Sequence, residues 1–440
     1  MSQNYAEVAK TTSAIHQRNC SNEKAGAAEA KGSKRICLPI DRAKYESIVG
    51  DKVAFRHLLD EYLTDYPELF PSAMTQGYKL HGLMPTSKKM PDVYLRRIQL
   101  KAKDEGGQAQ VFTIAPCFVL PYMTGYVDEV EKALFLHEKF GVAFWALTYV
   151  FGRNEMYWYR LTQNLGRNSI VGTTLKDPAK LPEHLLADEK HTALNGEKAY
   201  LAITVAEDCV LGASVALAAD EKELTAAYRP FKTEAQQLKP DYQPQTVNTD
   251  GWAATRSAWK TLFPAIVIIS CFLHAFIKIR ACCQRMKPDF AEIQSRVWEI
   301  YHAPDALTFM KRVAAFKTWA ILTLPKGTGL EAILKLGAKT PEFIKAYAYP
   351  AAYRTSNMID RHMEPLARYL YSTKYFNGHL MSAERSVRAW ALCHNFLPYC
   401  PRAKIGQSYK SPAHKLNGFV YRDNWLENLL VSASMRGYPS

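Results

Sequence analysis

Hydrophobic positions change their spacing several times along the chain, and each change predicts an element. Residues 1–35 carry Ala, Ser, Asn, Lys and Glu with few large apolar groups. Too little apolar area is available there to offset chain entropy, so a disordered tail is expected. From Ile36 the composition is globular. Residues 54–63 (AFRHLLDEYL) have helical spacing. Residues 96–103 (RRIQLKAK) and 109–116 (AQVFTIAP) alternate on either side of Asp104-Glu-Gly-Gly107, which predicts a β-hairpin.

Between 127 and 168 the spacing is helical three times over, with glycine as the punctuation. VDEVEKALFLHEKFG ends at Gly141 and VAFWALTYVFG at Gly152; a third helix is predicted from Arg153 to Asn164. Short helices separated by glycine fit a helix-turn-helix, with Arg153, Arg160, Gln163 and Asn164 offered to base edges. The plainer alternative is a helical hairpin with Trp145, Tyr157 and Trp158 in its core. The following RNSIVGTT offers Arg167, Ser169 and backbone amides to phosphate.

From Leu181 the pattern turns to strands. HLLAD predicts a short buried strand ending at Asp188. KAYLAITVAED and CVLGASVALAA predict a pair joined at Glu207-Asp208, and DEKELTAAYRPFKTEAQQL an amphipathic helix. QTVNTD predicts a fourth strand ending in Asp250. The helix GWAATRSAWKTLF leads to the apolar strand AIVIISCFLH, closed by Cys271-Phe-Leu-His274. The run 262–276 is too short for a membrane span and reads as a buried parallel strand. Residues 284–349 read as helical throughout. From Thr355 a helix carries Ile359, Met363, Leu366 and Leu370 on one stripe, with Asp360 beside it. Residues 376–440 carry further helices joined by a basic stretch.

Asp188 and Asp250 end apolar runs, and Asp360 opens a helix. Carboxylates delivered from separate elements can meet and hold divalent cations for phosphodiester chemistry. A buried carboxylate without a partner is unfavourable, which argues against accident at the two strand ends. Glu189, next to Asp188, alternates to the opposite face. Cys271 and His274 with Cys282 or Cys283 do not match a common zinc ribbon. Cys271 is expected to be structural, and His274 to stand beside the carboxylates or approach a scissile phosphate. Arg354, Thr355, Ser356 and Asn357 have two open roles: capping the helix or touching phosphate. Trp298 and Trp319 read as core of the helical stretch, with base stacking as the alternative.

The blocks NTDGW, CFLH, IYHAPDALTFMKRVAAFKTW and RTSNMIDR stand in an order that resembles the Mutator / IS256-type DDE transposases, over roughly residues 180–375. The resemblance implies an α/β fold: an RNase H-like mixed sheet with an all-α insertion, preceded by a mainly helical DNA-binding region. The implied division is a tail at 1–35, a DNA-binding region at 36–178, catalytic core at 179–283 and 350–375, insertion at 284–349 and C-terminal helices at 376–440. First and fourth strands are neighbours in that fold, which would unite Asp188 and Asp250. The third acid of the family is usually Glu in a T-N-x-x-E block. Here Asp360 holds that position, with Glu364 one turn on as the alternative. The implied activity is metal-dependent cleavage and strand transfer with two Mg²⁺, Mn²⁺ substituting, held by Asp188, Asp250 and Asp360. The implied partners are double-stranded DNA, as transposon ends and target, and further copies of the chain in a dimer or larger assembly. A structure-selective nuclease and a non-catalytic transposase-derived DNA-binding protein are the competing readings.

Composition adds three constraints. Net charge is +14, which favours a polyanionic partner through counterion release. Nine scattered cysteines without a C-x-x-C read as reduced thiols. The N-terminus has no basic start followed by an apolar stretch, so no signal peptide is expected. The corresponding location is the bacterial cytoplasm and nucleoid, or a eukaryotic nucleus.

Overall fold

A computed structural model describes residues 34–103, 106–285, 289–404 and 408–438. The expected tail lies outside them as far as residue 33, and Arg35 already opens a strand. The fold is mixed α/β with two mixed sheets.

The first sheet has the order β1-β4-β3-β2. Strand β1 (Arg35–Leu38) runs parallel to β4 (Ala109–Pro116). Strand β4 pairs antiparallel with β3 (Leu95–Lys103), and β3 with β2 (Tyr78–Met84). The predicted hairpin is β3–β4. Helices α1 (Arg42–Ile48) and α2 (Lys52–Asp65) connect β1 to β2, and Asp51 caps α2 through the amides of Val53 and Ala54. The N-terminal region, expected to be mainly helical, holds more helix than strand and adds a four-stranded sheet of which the sequence reading anticipated only the β3–β4 hairpin. Strand β1 has only four residues, and the register of β2 shifts between Leu80 and Gly82, so neither shows a clean period of two.

Helices α3 (Glu131–Phe140), α4 (Phe144–Phe151) and α5 (Glu155–Leu165) fill the predicted helical stretch. Gly141 (φ 68°) ends α3 in the left-handed conformation that glycine reaches without a Cβ clash. Trp158 is fully buried, whereas Trp145 is 64% exposed and is not core. A short helix α6 (Ile170–Thr174) follows.

The second sheet is built from β5 (His184–Leu194), β6 (Glu197–Ala206), β7 (Cys209–Ala216), β8 (Thr246–Thr249) and β9 (Val267–Ser270). Its order is β7-β6-β5-β8-β9. The pairs β5–β6 and β6–β7 are antiparallel, and β5–β8 and β8–β9 are parallel. Helix α7 (Glu221–Leu238) links β7 to β8, and α8 (Ala253–Leu262) links β8 to β9. Alternation along β6 divides the core. Leu201, Ile203 and Val205 join the large cluster shared with the first sheet, whereas Tyr200, Ala202 and Ala206 pack with α7 and α8.

Three boundaries differ from the sequence reading, two of them in this sheet. Strand β5 does not end at Asp188 but continues to Leu194, because its second half still pairs with β6 as far as Leu194↔Glu197. The C-x-x-H segment does not close β9; Cys271 is the N-cap of a helix, and His274 lies in that helix's first turn. The run 262–276 is thus divided among α8, β9 and this helix. Among the described residues no helix is long and apolar enough to cross a membrane.

The helical stretch begins at Phe272 rather than 284. It comprises α9 (Phe272–Cys283), α10 (Asp289–Tyr301), α11 (Ala306–Thr323), α12 (Thr328–Ala338) and α13 (Thr340–Phe343). It has its own core, in which Phe272, Phe276, Val297, Phe309, Phe316 and Ile333 are buried. Trp298 packs on Phe276 and Tyr301, and Trp319 on Phe316 beneath Arg296, so both serve that core. Helix α14 (Asn357–Ser372) then returns to the sheet and buries the predicted stripe of Ile359, Met363, Leu366 and Leu370. Helices α15 (Leu380–Phe396), α16 (Pro412–Asn417) and α17 (Trp425–Ser432) complete the chain. Every described cysteine is a free thiol.

Glu234 on α7 ties three segments together. It is buried, and its Oε2 accepts from Ser169 Oγ and from the amides of Ile170 and Val171, while Oε1 pairs with Arg388 of α15. The N-terminus of α6 is therefore filled by protein carboxylate, and Ser169 and those amides do not face phosphate. Replacing Glu234 with alanine should cost about 3–5 kcal/mol in denaturant unfolding, since Arg388 is left buried and unpaired. A loss under about 1 kcal/mol would rule out this role.

Candidate functional site

The register of the parallel strands brings the first two acids together. Leu186 of β5 pairs with Asn248 of β8. Asp188 lies two residues further along β5, and Asp250 is the residue that follows the last residue of β8, Thr249. Cys271, the helix N-cap that follows β9, bonds Thr249 O through its amide at 2.8 Å. Asp188 and Asp250 are partly buried, and Cys271 is buried.

Cys271 fixes the third acid. Its Sγ accepts from the Ser356 amide at 3.1 Å and contacts Ser356 Oγ at 3.3 Å. Phe272 N donates to Arg354 O at 3.1 Å. These bonds staple the start of α14 to the end of β9. Ser356 Oγ in turn donates to Asp360 Oδ2 at 2.9 Å. Asp360 is solvent-exposed in the first turn of α14.

The electrostatics show that these groups share one field. Burial pushes the Asp188 carboxyl up to about 6; the Glu189 amide offsets part of this, Asp250 and Asp360 add to it, and His274 opposes them. The His274 ring is held above its ordinary value, chiefly by the Cys271 thiol, with Asp188 and Asp250 contributing. Its Nδ1 is buried without a hydrogen-bond partner. Burial pushes the Cys271 thiol up, but His274 and Ser356 outweigh this and hold it below the usual value. Glu189 lies on the other face, as alternation requires. It accepts from Tyr228 at 2.7 Å and Thr255 at 2.8 Å, and burial pushes it up to about 7.

The donor set of three carboxylates suits a hard divalent cation. Repulsion among Asp188, Asp250 and Asp360, and the unpartnered His274 nitrogen, also leave room for added charge or a further hydrogen-bonding group. Among the described residues, however, no group of three His, Cys, Asp or Glu side chains is arranged to hold a metal. Asp360 Oδ2 is engaged by Ser356, and Asp188 Oδ1 by the Glu189 amide at 2.9 Å.

A cavity of about 450 Å³ opens beside Asp250, Cys271 and His274. Its lining also carries Lys278 of α9, Glu331 of α12, and Lys335 and Lys339 at the end of α12. A Cβ on Gly251 would lie 3.5 Å from Lys339 Nζ, so this ammonium stands against the turn after Asp250. The sequence reading missed these lysines. Their signal was helical spacing: Lys278 lies one turn beyond His274, and Lys339 one turn beyond Lys335.

The predicted DNA contacts divide. Arg160 is exposed on α5, and Asn164 is partly buried on the same helix. Arg153 is exposed in the turn before α5, paired with Glu129 at 2.8 Å. Arg167 is exposed, with Nη1 3.4 Å from Tyr122 Oη. Asn357 is exposed at the start of α14. Two assignments are corrected. Gln163 is buried and donates to Ser382 O and Ser386 Oγ of α15, so it does not reach a base. Arg354 donates to Tyr301 O at 2.8 Å and Tyr347 Oη at 3.0 Å, with its guanidinium over both rings, which makes it a brace of the helical insertion.

No protein-family model matches the chain, and no curated protein matches it.

Proposed function

We propose that the chain is a DNA transposase with an RNase H-like core, cutting phosphodiester bonds at element ends and joining the freed 3′-hydroxyls to target DNA. The observation that carries this reading is the parallel pair Leu186↔Asn248, which leads into Asp188 on one side and Asp250 on the other, with Asp250, Asp360 and His274 all acting electrostatically on Asp188. The strand order β7-β6-β5-β8-β9, with β6 antiparallel, supports an RNase H-like core. Asp188, Asp250 and Asp360 would hold two Mg²⁺, or Mn²⁺ in substitution. When bound, such ions supply Lewis-acid activation of the attacking oxygen and stabilise the leaving one.

The protein's own groups have distinct tasks in this scheme. Asp188 presents carboxylate from β5 and Asp250 from the residue after β8, and the Cys271–Ser356 staple positions the helix that carries Asp360. His274, raised in basicity, offers a proton or a hydrogen bond to phosphate oxygen. Lys278, Lys335 and Lys339 draw the strand into the cavity. Arg160 and Asn164 are the helix-turn-helix side chains left to contact DNA, and the assembly would be a homodimer or larger.

A second reading rests on the Ser356–Asp360 bond: a transposase-derived DNA-binding protein whose third carboxylate is engaged elsewhere. Incubation with labelled DNA ends in Mg²⁺ separates the possibilities. Cleavage with joining supports the transposase, and cleavage without joining a structure-selective nuclease. Binding without cleavage supports the second reading.

A further inference from the structure

A second charged site lies where the first sheet meets the C-terminal helices. A cavity of about 260 Å³ there is lined by Lys34, Arg35, Arg167 and Arg436, with Tyr122 at its rim, and none of its lining residues is Asp or Glu. Arg385 stands close by, and its guanidinium is held below its ordinary value by burial and then by Arg167 and Arg436. None of these five cations has a carboxylate partner among the described residues. Arg35 donates instead to Val119 O. Burial pushes the Tyr122 phenol up, but Arg436 and Arg167 outweigh this and hold it below its usual value.

The backbone is built to hold this concentration of charge. Ser169 N bonds Arg436 O at 2.8 Å, and Arg388 binds Gly166 O and Asn168 O. Gly166 touches the Arg385 carbonyl so closely that a Cβ would overlap it. The 166–169 segment is thereby wedged between α15 and the turn carrying Arg436. Tyr122, Met123, Met435 and Arg436 all take positive φ, between 51° and 64°, without being glycine. Paired outliers of this kind, converging on one cavity, mark a site held by its surroundings. Like charges that converge unpaired are relieved by a bound anion, and guanidinium forks match phosphate oxygens.

We infer that this cavity is a phosphate-binding site, with Arg167, Arg385 and Arg436 as the anion ligands and Tyr122 as the face for an attached sugar or base. It shares no residue with the acidic site and does not depend on the activity proposed there. The phosphate can belong to a nucleic-acid strand or to a free phosphate compound, and two probes distinguish them.

The full chain and Arg167→Gln/Arg436→Gln are titrated with a labelled DNA duplex over a range of salt, and with inorganic pyrophosphate followed by ³¹P line width. For a strand-binding site the variant should bind duplex about tenfold or more weakly. Its slope of log affinity against log salt should fall by about two, as expected for two lost phosphate contacts. If only pyrophosphate binding is lost, the site takes a free phosphate compound. Arg167→Lys/Arg436→Lys should recover part of whichever binding is lost, since charge returns without the fork. Should the double variant melt early, Arg167→Glu, at an exposed position, gives the same readout. Variants that bind both probes as tightly as the parent chain would overturn the site.

Discussion

Replacing Asp188 with asparagine should lower cleavage of labelled DNA ends by about a thousandfold or more, while duplex binding stays within about twofold. The side chain keeps its size but loses the charge that would hold a divalent cation. The same change should raise stability at neutral pH. Burial raises the folded-state carboxyl to about 6 from its ordinary value of 3.8. The folded chain therefore holds this proton more tightly than the unfolded chain. That favourable contribution is complete below pH 3.8 and is lost as pH rises through about 6. At pH 7 in the absence of metal, Asp188→Asn should therefore be more stable than the parent by about 1–2 kcal/mol, and at pH 3.5 by little. Cleavage by the parent chain should fall on the acid side of pH 6. Higher Mg²⁺ should move that midpoint downward, because cation and proton compete for one carboxylate. An Asp188→Asn chain that cuts at the parental rate would remove this residue from the chemistry.

Much of this site was legible because it rests on short-range regularities. The apolar runs before Asp188 and Asp250 announced buried strands, the resemblance implied that they are neighbours, and β5 and β8 do pair in parallel up to Leu186↔Asn248. The stripe Ile359, Met363, Leu366 and Leu370 fixed the face of α14. What stayed hidden depends on partners distant in sequence. Gln163 looked like a base reader, but α15, more than two hundred residues on, covers it. Arg354 looked like a phosphate contact until the rings of Tyr301 and Tyr347 claimed it. The C-x-x-H segment continued an apolar run, and apolarity alone does not distinguish a strand from the first turn of a helix packed on its own core. Strand β1 escaped because four residues give too little alternation to detect.

Asp360→Asn should eliminate cleavage, whereas Glu364→Gln should change it by less than about threefold. Three observations separate these two acids. Asp360 adds to the field that raises Asp188. Asp360 is anchored through Ser356 to Cys271 and thus to the end of β9. The Glu364 side chain is 76% exposed and faces Arg368, one turn along the helix, at 3.6 Å. An exposed pair of that kind is worth little, so its loss should barely alter stability or the position of α14. A neutral amide binds Mg²⁺ poorly, which accounts for the severity expected at Asp360. Asp360→Glu should retain part of the activity, since the longer side chain keeps the charge and needs a less close approach of the helix. Because Ser356 already holds one Asp360 oxygen, metal binding by this residue requires the carboxylate to turn or to use its other oxygen. A crystal soaked in Mn²⁺ reads this directly. Metal within about 2.1 Å of Asp188, Asp250 and Asp360 supports the assignment. Metal held by Glu364 in place of Asp360 would overturn it.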